Sequence, residues 1–209
     1  RKYTFLVTII LMGVATFCVG LLPTYASIGI AAPIMVKFLF TSERLSIQVH
    51  PGDEAGRAAG YPRGKEECWL VLEAEPGATL GIGFRQPITP EGMRAAALDG
   101  SIESAVRRLE VRPGDFVSIP AGTIHAIGPG ISLLEVQQNS DVTYRLYDYG
   151  RPRDLHLEEA LRVVRRQPFN DALLTRAGET SGVYCELIDG PFFRVAKLTG
   201  SAALPGERF

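Results

Sequence analysis

The 209 residues carry 22 Lys plus Arg against 23 Asp plus Glu, a formal net charge of -1. That balance lacks the basic excess of a surface that tracks nucleic-acid phosphates, so the expected partner is a small molecule. At 46% apolar, the chain can bury a core and is no disordered tail. Its three cysteines, Cys18, Cys68 and Cys185, are too few and too scattered for a disulfide framework or a Cys-rich zinc site, and a reducing cytoplasm is the expected compartment.

Tyr3 to Val36 contains no charged residue, and Thr4 to Leu22 alone is long enough to cross the hydrocarbon core as a helix. The first expectation is therefore an apolar N-terminal helix, with membrane association possible only through residues 4–22. Two other readings stay open. One is a signal peptide with Arg1 and Lys2 as its basic start and Thr24-Tyr25-Ala26 as its cleavage site; the other is a buried core segment. The run from Arg1-Lys2-Tyr3-Thr4-Phe5-Leu6-Val7 through Tyr25-Ala26-Ser27-Ile28-Gly29-Ile30-Ala31-Ala32-Pro33-Ile34 resembles part of a major-facilitator transporter. The chain opens at Arg1 rather than Met and stops at Phe209 just after a strand-like run, so a piece cut at both ends is expected.

From Val36 the texture changes to short β-rich runs punctuated by Gly, Pro and Asp. The expected strands are Val36 to Phe40, Leu45 to Val49, Cys68 to Leu72, Leu80 to Phe84, Arg108 to Val111, Phe116 to Ile119, Ser132 to Gln137 and Thr143 to Tyr147. Such spacing predicts an antiparallel barrel or sandwich. Pro90 to Asp99 and Leu157 to Arg166 read as helices inserted around it, the first opening with Pro90 and Glu91 as a helix start does. Past Asn170, Tyr184 to Ile188 and Phe192 to Leu198 begin a second series of strands whose sheet is incomplete at Phe209.

Four side chains in these runs have metal-ligand chemistry. In Ser46-Ile47-Gln48-Val49-His50-Pro51, strand alternation points Gln48 and His50 the same way and Val49 into the opposite layer. In Gly64-Lys65-Glu66-Glu67-Cys68-Trp69 the same spacing puts Lys65 and Glu67 on one face, which Trp69 and Val71 continue, and leaves Glu66 and Cys68 on the other. His125 ends Pro120-Ala121-Gly122-Thr123-Ile124-His125, a turn that presents the ring to a barrel interior. Two imidazoles, a carboxylate and an amide oxygen suit a borderline cation such as zinc with a position left open. Cys68 is expected to be a buried small hydrophobe, Trp69 barrel packing and His156 a surface residue.

Gly114-Asp115-Phe116-Val117-Ser118-Ile119-Pro120-Ala121-Gly122-Thr123-Ile124-His125 matches the second cupin motif. Together with Leu45 to Asp53, Gly64 to Leu72 and Tyr144 to Arg151, it makes the chain from about Val36 to Leu161, and more weakly to the end, resemble the type I phosphomannose isomerases, zinc-dependent cupin enzymes. The resemblance implies a mainly β, jelly-roll type cupin barrel with small helical insertions. It implies one zinc per chain on Gln48, His50, Glu67 and His125. It also implies catalytic roles for Arg145, Lys65 and Glu135, with Ser46, Lys65 and Arg145 on the substrate phosphate.

The implied reaction is interconversion of mannose 6-phosphate and fructose 6-phosphate through an enediolate, with Lys65 or Glu135 carrying the proton. Arg145 has the structural alternative of pairing with Asp148 or Asp141. By domains the expectation is an apolar, family-foreign segment over 1–35, the zinc-binding cupin over 36–165 and the start of a truncated second cupin-like unit over 166–209. A non-catalytic, membrane-tethered cupin module that binds sugar phosphates, or an inactive fragment, stands as the alternative.

Overall fold

A computed structural model of the chain describes residues 34–179 and 184–199. The expected N-terminal helix, with its membrane and signal-peptide readings, lies outside the described residues. Among the described residues, no helix is long and apolar enough to cross a membrane.

In chain order the described elements are β1 (Ile34–Thr41), β2 (Ile47–Val49), α1 (Asp53–Ala58), β3 (Glu67–Ala74), β4 (Thr79–Phe84), α2 (Pro90–Asp99), α3 (Ile102–Ala105), β5 (Val106–Glu110), β6 (Phe116–Ile119), β7 (His125–Ile127), β8 (Ile131–Gln138), β9 (Tyr144–Tyr147), α4 (Leu157–Val163), β10 (Leu174–Thr175), β11 (Tyr184–Asp189) and β12 (Arg194–Leu198). The strands form two five-stranded sheets, ordered β1-β8-β3-β6-β10 and β5-β4-β7-β2-β9, and a separate β11-β12 pair. The named strand pairs are antiparallel. This is the jelly-roll type cupin barrel the sequence leads one to expect.

Alternation sorts each strand between layers. Trp69, Val71, Leu80, Ile82, Val117, Ile119, Ile127, Ile131 and Leu133 meet between the two large sheets as one buried core. The opposite faces of β2 and β9 send Ile47, Val49, Tyr144 and Leu146 into a second core, where Met93, Ala96 and Ala97 of α2, Ile102 of α3 and Ala160 of α4 cover the sheet. Val49 thus points away from Gln48 and His50, as alternation requires. On the outer face of the other sheet, Cys68 and Phe116 pack under Phe193, Leu187 and Val195 of the β11-β12 segment. On β1 the same rule leaves Val36, Phe38 and Phe40 exposed while Lys37 faces inward.

The α2 helix has the ends its sequence calls for. Thr89 caps it through a 3.0 Å bond from the Gly92 N–H, Pro90 opens it, and Gly100 closes it at φ 82. The helix expected to run to Arg166 stops at Val163, because Val164 turns extended and the Arg165 N–H donates to the Gly122 carbonyl at 2.7 Å instead of continuing the helix. The last strand starts at Arg194 rather than Phe192, after a turn closed by the Gly190 N–H on the Phe193 carbonyl. Helices α1 and α3 and strands β7 and β10 were not expected. The six-residue α1 has no side-chain cap, and the three residues of β7 are all buried, so neither shows a periodicity.

Candidate metal centre

Three short connections bring the site residues together. After His50 the chain turns into α1, whose Asp53 accepts from the Gly64 N–H at 2.9 Å and from the Gln138 side chain at 3.0 Å. The Lys65 N–H donates to the Pro51 carbonyl at 2.9 Å, so the residue after His50 and the residue two before Glu67 are clasped backbone to backbone. The turn before His125 is tied to the same place by the Gly122 N–H on the His50 carbonyl at 2.8 Å. Gly122 has φ 83, and a Cβ there would lie 2.7 Å from the Val163 carbonyl oxygen, so this turn needs glycine.

Sheet register completes the arrangement. Gln48 lies opposite His125 on one side and opposite Arg145 on the other. In the facing sheet, Glu67 lies opposite Gln137, Trp69 opposite Glu135, and Glu135 opposite Lys37.

His50, Glu67 and His125 are 2%, 1% and 1% exposed, and their ligand atoms lie within 4.8 Å of one another. Both rings are oriented from behind. His50 Nδ1 is 2.8 Å from the Val142 carbonyl and His125 Nδ1 is 2.9 Å from the Thr123 carbonyl. A carbonyl only accepts, so each Nδ1 carries the proton and each Nε2 presents a lone pair to the centre. Glu67 faces both, its carboxylate oxygens 3.5 Å from His50 Nε2 and 3.3 Å from His125 Nε2. Unprotonated nitrogens cannot donate to a carboxylate. Lys65 Nζ approaches Glu67 Oε2 to 3.0 Å, an ion-pair distance, yet neither carboxylate oxygen receives a directed hydrogen bond.

Burial is the first reason both rings stay neutral. Desolvation, then the nearby Lys65 charge and the other ring, holds His50 well below its ordinary value. Desolvation, with Lys65 adding to it, takes His125 down to about 4. A buried carboxylate facing two imidazole lone pairs is the donor set of a divalent-cation site. Gln48 borders it, with Nε2 3.3 Å from His125 Nε2 and Oε1 3.1 Å from the Ser46 hydroxyl.

The other expected residues also line the inner face. Lys65 Nζ is 3.1 Å from His50 Nε2, and it precedes β3 rather than lying in it. The Trp69 indole N–H donates to Glu135 Oε2 at 3.2 Å, and the ring stands edge-on to His125 with centroids 5.4 Å apart, a closer involvement than barrel packing. The expected alternative for Arg145 does not arise with Asp148, whose carboxylate is held by Arg151 and Arg153. The Arg145 Nε is buried without a hydrogen-bond partner. His156 is more than a surface residue, since its backbone N–H donates to the Arg145 carbonyl at 2.8 Å and positions the end of β9. Cys68 is buried, and desolvation followed by the Glu67 charge pushes its thiol up to about 12.

Lys37 and Gln137 were missed. Lys37 Nζ lies 2.6 Å from Gln137 Oε1 and 3.3 Å from Glu135 Oε1, so it caps the other oxygen of the carboxylate that Trp69 holds. The available signal was one charge in the apolar strand Ile34–Thr41, at the alternation of Met35 and Leu39.

No protein-family model matches the chain. It is 37% identical over 186 residues to mannose-6-phosphate isomerase ManA of Bacillus subtilis (strain 168), a match covering 84% of this chain and 59% of that protein. It is likewise 37% identical over 183 residues to the mannose-6-phosphate isomerase of Streptococcus mutans, covering 82% of this chain and 57% of that one. The chain therefore spans less than two thirds of the length of these curated relatives.

The crystal structure of the Bacillus subtilis mannose 6-phosphate isomerase superposes with a TM-score of 0.68 at 29% identity, covering 80% of this chain and 56% of that one. A zinc-bound holo mannose 6-phosphate isomerase shares the fold at a TM-score of 0.56 and 19% identity, covering 78% of this chain and 62% of that one. A shorter match, 34% identical over 90 residues, covers 40% of this chain and 17% of the proline/betaine transporter of Salmonella typhimurium. Over more than four fifths of its length in sequence, and in fold, the chain is similar to mannose-6-phosphate isomerases, and it spans rather more than half the length of those it matches.

Proposed function

We propose that the chain carries a zinc-dependent aldose-ketose isomerase site that interconverts mannose 6-phosphate and fructose 6-phosphate. The observation that carries this reading is Glu67, a carboxylate 1% exposed, without a directed hydrogen bond, facing the lone pairs of His50 and His125. It occurs in a chain homologous to enzymes of that name. His50, Glu67 and His125 would hold the ion with Gln48 as a fourth donor; when bound, it supplies positive charge against the oxyanion that develops as C2 loses its proton.

The remaining chemistry belongs to side chains. Moving a proton between C2 and C1 needs one group that accepts and returns it, and Glu135 and Lys65 both face the centre. Glu135 has its two oxygens held, one by Trp69 and one by Lys37, so the carboxylate is oriented before substrate arrives. Lys65 sits between His50 and Glu67 and adds fixed positive charge beside the reacting carbons. Arg145, whose Nε has no hydrogen-bond partner among the described residues, is the cation to meet the enediolate or the phosphate.

The test is interconversion of the two hexose phosphates by the purified chain, as prepared, after zinc is stripped and after it is restored. Turnover should disappear on stripping and return with zinc, and His125→Ala should lose both zinc and turnover. A folded, zinc-loaded chain that turns over neither sugar phosphate would refute the reading.

A further inference from the structure

We infer that Ser46 is a positioning residue for the metal centre: its hydroxyl sets which end of the Gln48 amide faces the ion. This rests on the zinc reading above and adds to it a role for Ser46 that acts through Gln48. Ser46 lies immediately before β2 and Gln48 within it, and their side chains meet. Ser46 is 3% exposed, and its hydroxyl lies against the Gln48 amide. Its Oγ is 3.1 Å from Gln48 Oε1, while the other end of the same amide, Nε2, lies 3.3 Å from His125 Nε2. The amide is thus gripped from both ends, by a hydroxyl on one side and an imidazole on the other.

The two partners differ in what they can do. His125 Nδ1 donates to the Thr123 carbonyl, so its Nε2 can only accept, and in the geometry described the Gln48 NH2 donates to it. A nitrogen so placed cannot ligate a cation, because an amide NH2 has no available lone pair. For Gln48 to serve as a ligand, the amide must make a half-turn about its last bond and bring Oε1 to the side of His125. The half-turn exchanges O and N with little movement of other atoms and delivers the NH2 to Ser46.

A hydroxyl both donates and accepts. Ser46 can therefore donate to Oε1 in one orientation and accept from Nε2 in the other, and it satisfies the half-buried amide in both. Without the hydroxyl, the ligating orientation leaves the NH2 facing a methyl group, whereas the other orientation keeps its bond to His125. The amide is then biased away from the metal.

The experiment is zinc affinity of the purified chain, measured by competition with a chromophoric chelator, for the unmodified protein, Ser46→Ala, Ser46→Thr, Gln48→Ala and the double Ser46→Ala/Gln48→Ala. Loss of a group that orients a ligand weakens metal binding by about 10- to 100-fold. We expect a loss of that size in Ser46→Ala, recovery in Ser46→Thr, which restores a hydroxyl at the same place, and no further loss when Ser46→Ala is added to Gln48→Ala. Equal affinity in Ser46→Ala and the unmodified chain would overturn the inference, as would independent, additive losses in the double variant. An unmodified chain that retains no zinc would overturn the reading of the centre itself and this inference with it. The Gln48→Ala background also covers a general packing defect at Ser46, which would persist there, whereas loss of amide control would not.

Discussion

At the scale of single residues, the site is organised by competition for one carboxylate. Glu67 is surrounded by two imidazole lone pairs and one ammonium, and only the ammonium is attractive to it. Lys65 therefore occupies, electrostatically, part of the role a divalent cation takes when it binds. Replacing it by the isosteric, uncharged Met removes a competitor for Glu67 and His50, and in a site of low dielectric that like-charge repulsion is worth on the order of 1–2 kcal/mol. Lys65→Met is expected to bind zinc about 10-fold more tightly while losing most of its turnover, read by chelator competition and by the hexose phosphate assay. A Lys65→Met chain that binds zinc more weakly would show that the lysine supports the ligands instead. Trp69 offers the complementary case. Trp69→Phe keeps an aromatic edge near His125 but removes the donor to Glu135, and a hydrogen bond to a charged group is worth about 1.5–3 kcal/mol. Turnover should fall by about 10- to 100-fold with the zinc stoichiometry unchanged, whereas loss of zinc in Trp69→Phe would place its role on the ligand ring.

At the scale of elements, the centre depends on two loops that no strand pattern describes. The Gly64 segment crosses Gly52 so closely that a Cβ on Gly64 would fall 2.3 Å from the Gly52 carbonyl carbon and 2.5 Å from the Pro51 oxygen, where backbone must move. A Cβ on Gly52 itself meets only the Ala121 Cβ, at an ordinary 3.7 Å. Gly64→Ala should lower unfolding free energy by about 3 kcal/mol and weaken zinc binding, because the crossing carries the Lys65–Pro51 bond; Gly52→Ala should change stability by less than about 1 kcal/mol. Urea titration of both variants tests this, and a Gly64→Ala chain as stable as the parent would contradict the clasp. The same contrast explains what was legible in the sequence. The ligand types, the strand alternation around Gln48, His50 and Glu67, and the Gly122 turn follow from local rules, and the structure has them. The α1 clasp, the Asp53 bonds and the inward Lys37 depend on partners up to 100 positions away, such as Gln137, and no local pattern encodes such a partner. The end of α4 is of the same kind, fixed by a bond from Arg165 to Gly122 rather than by helix propensity.

At the scale of the whole molecule, the described residues stack as helices, sheet, sheet and hairpin, and the rings of His50 and His125 are buried between the two large sheets. Folding must therefore keep both rings uncharged, and this links stability to pH. The folded-state value lies below the ordinary 6.5 for each ring, well below for His50 and at about 4 for His125. Above 6.5 both rings are neutral folded or unfolded, and their contribution to stability is fully present. As pH falls, the unfolded chain takes up protons first, so stability is lost from about 6.5 down through the folded values. Each ring contributes a slope of up to about 1.4 kcal/mol per pH unit. The carboxylates with lowered values, partly exposed Asp53 and buried Asp148, act in the same direction but only from their ordinary 3.8 downward, and the half-buried Glu66, raised from 4.5, opposes the trend from its folded value down to 4.5. Over the interval from about pH 7 to pH 5 the two rings therefore set the sign of the slope. With a chelator present to remove metal, the urea midpoint of the chain should fall steeply across that interval, and about half as steeply in His125→Asn, whose side chain does not titrate there. A midpoint flat with pH, or a slope unchanged by His125→Asn, would mean that the rings gain protons in the folded chain as easily as in water, and the neutral, lone-pair-inward pair at the centre would have to be given up.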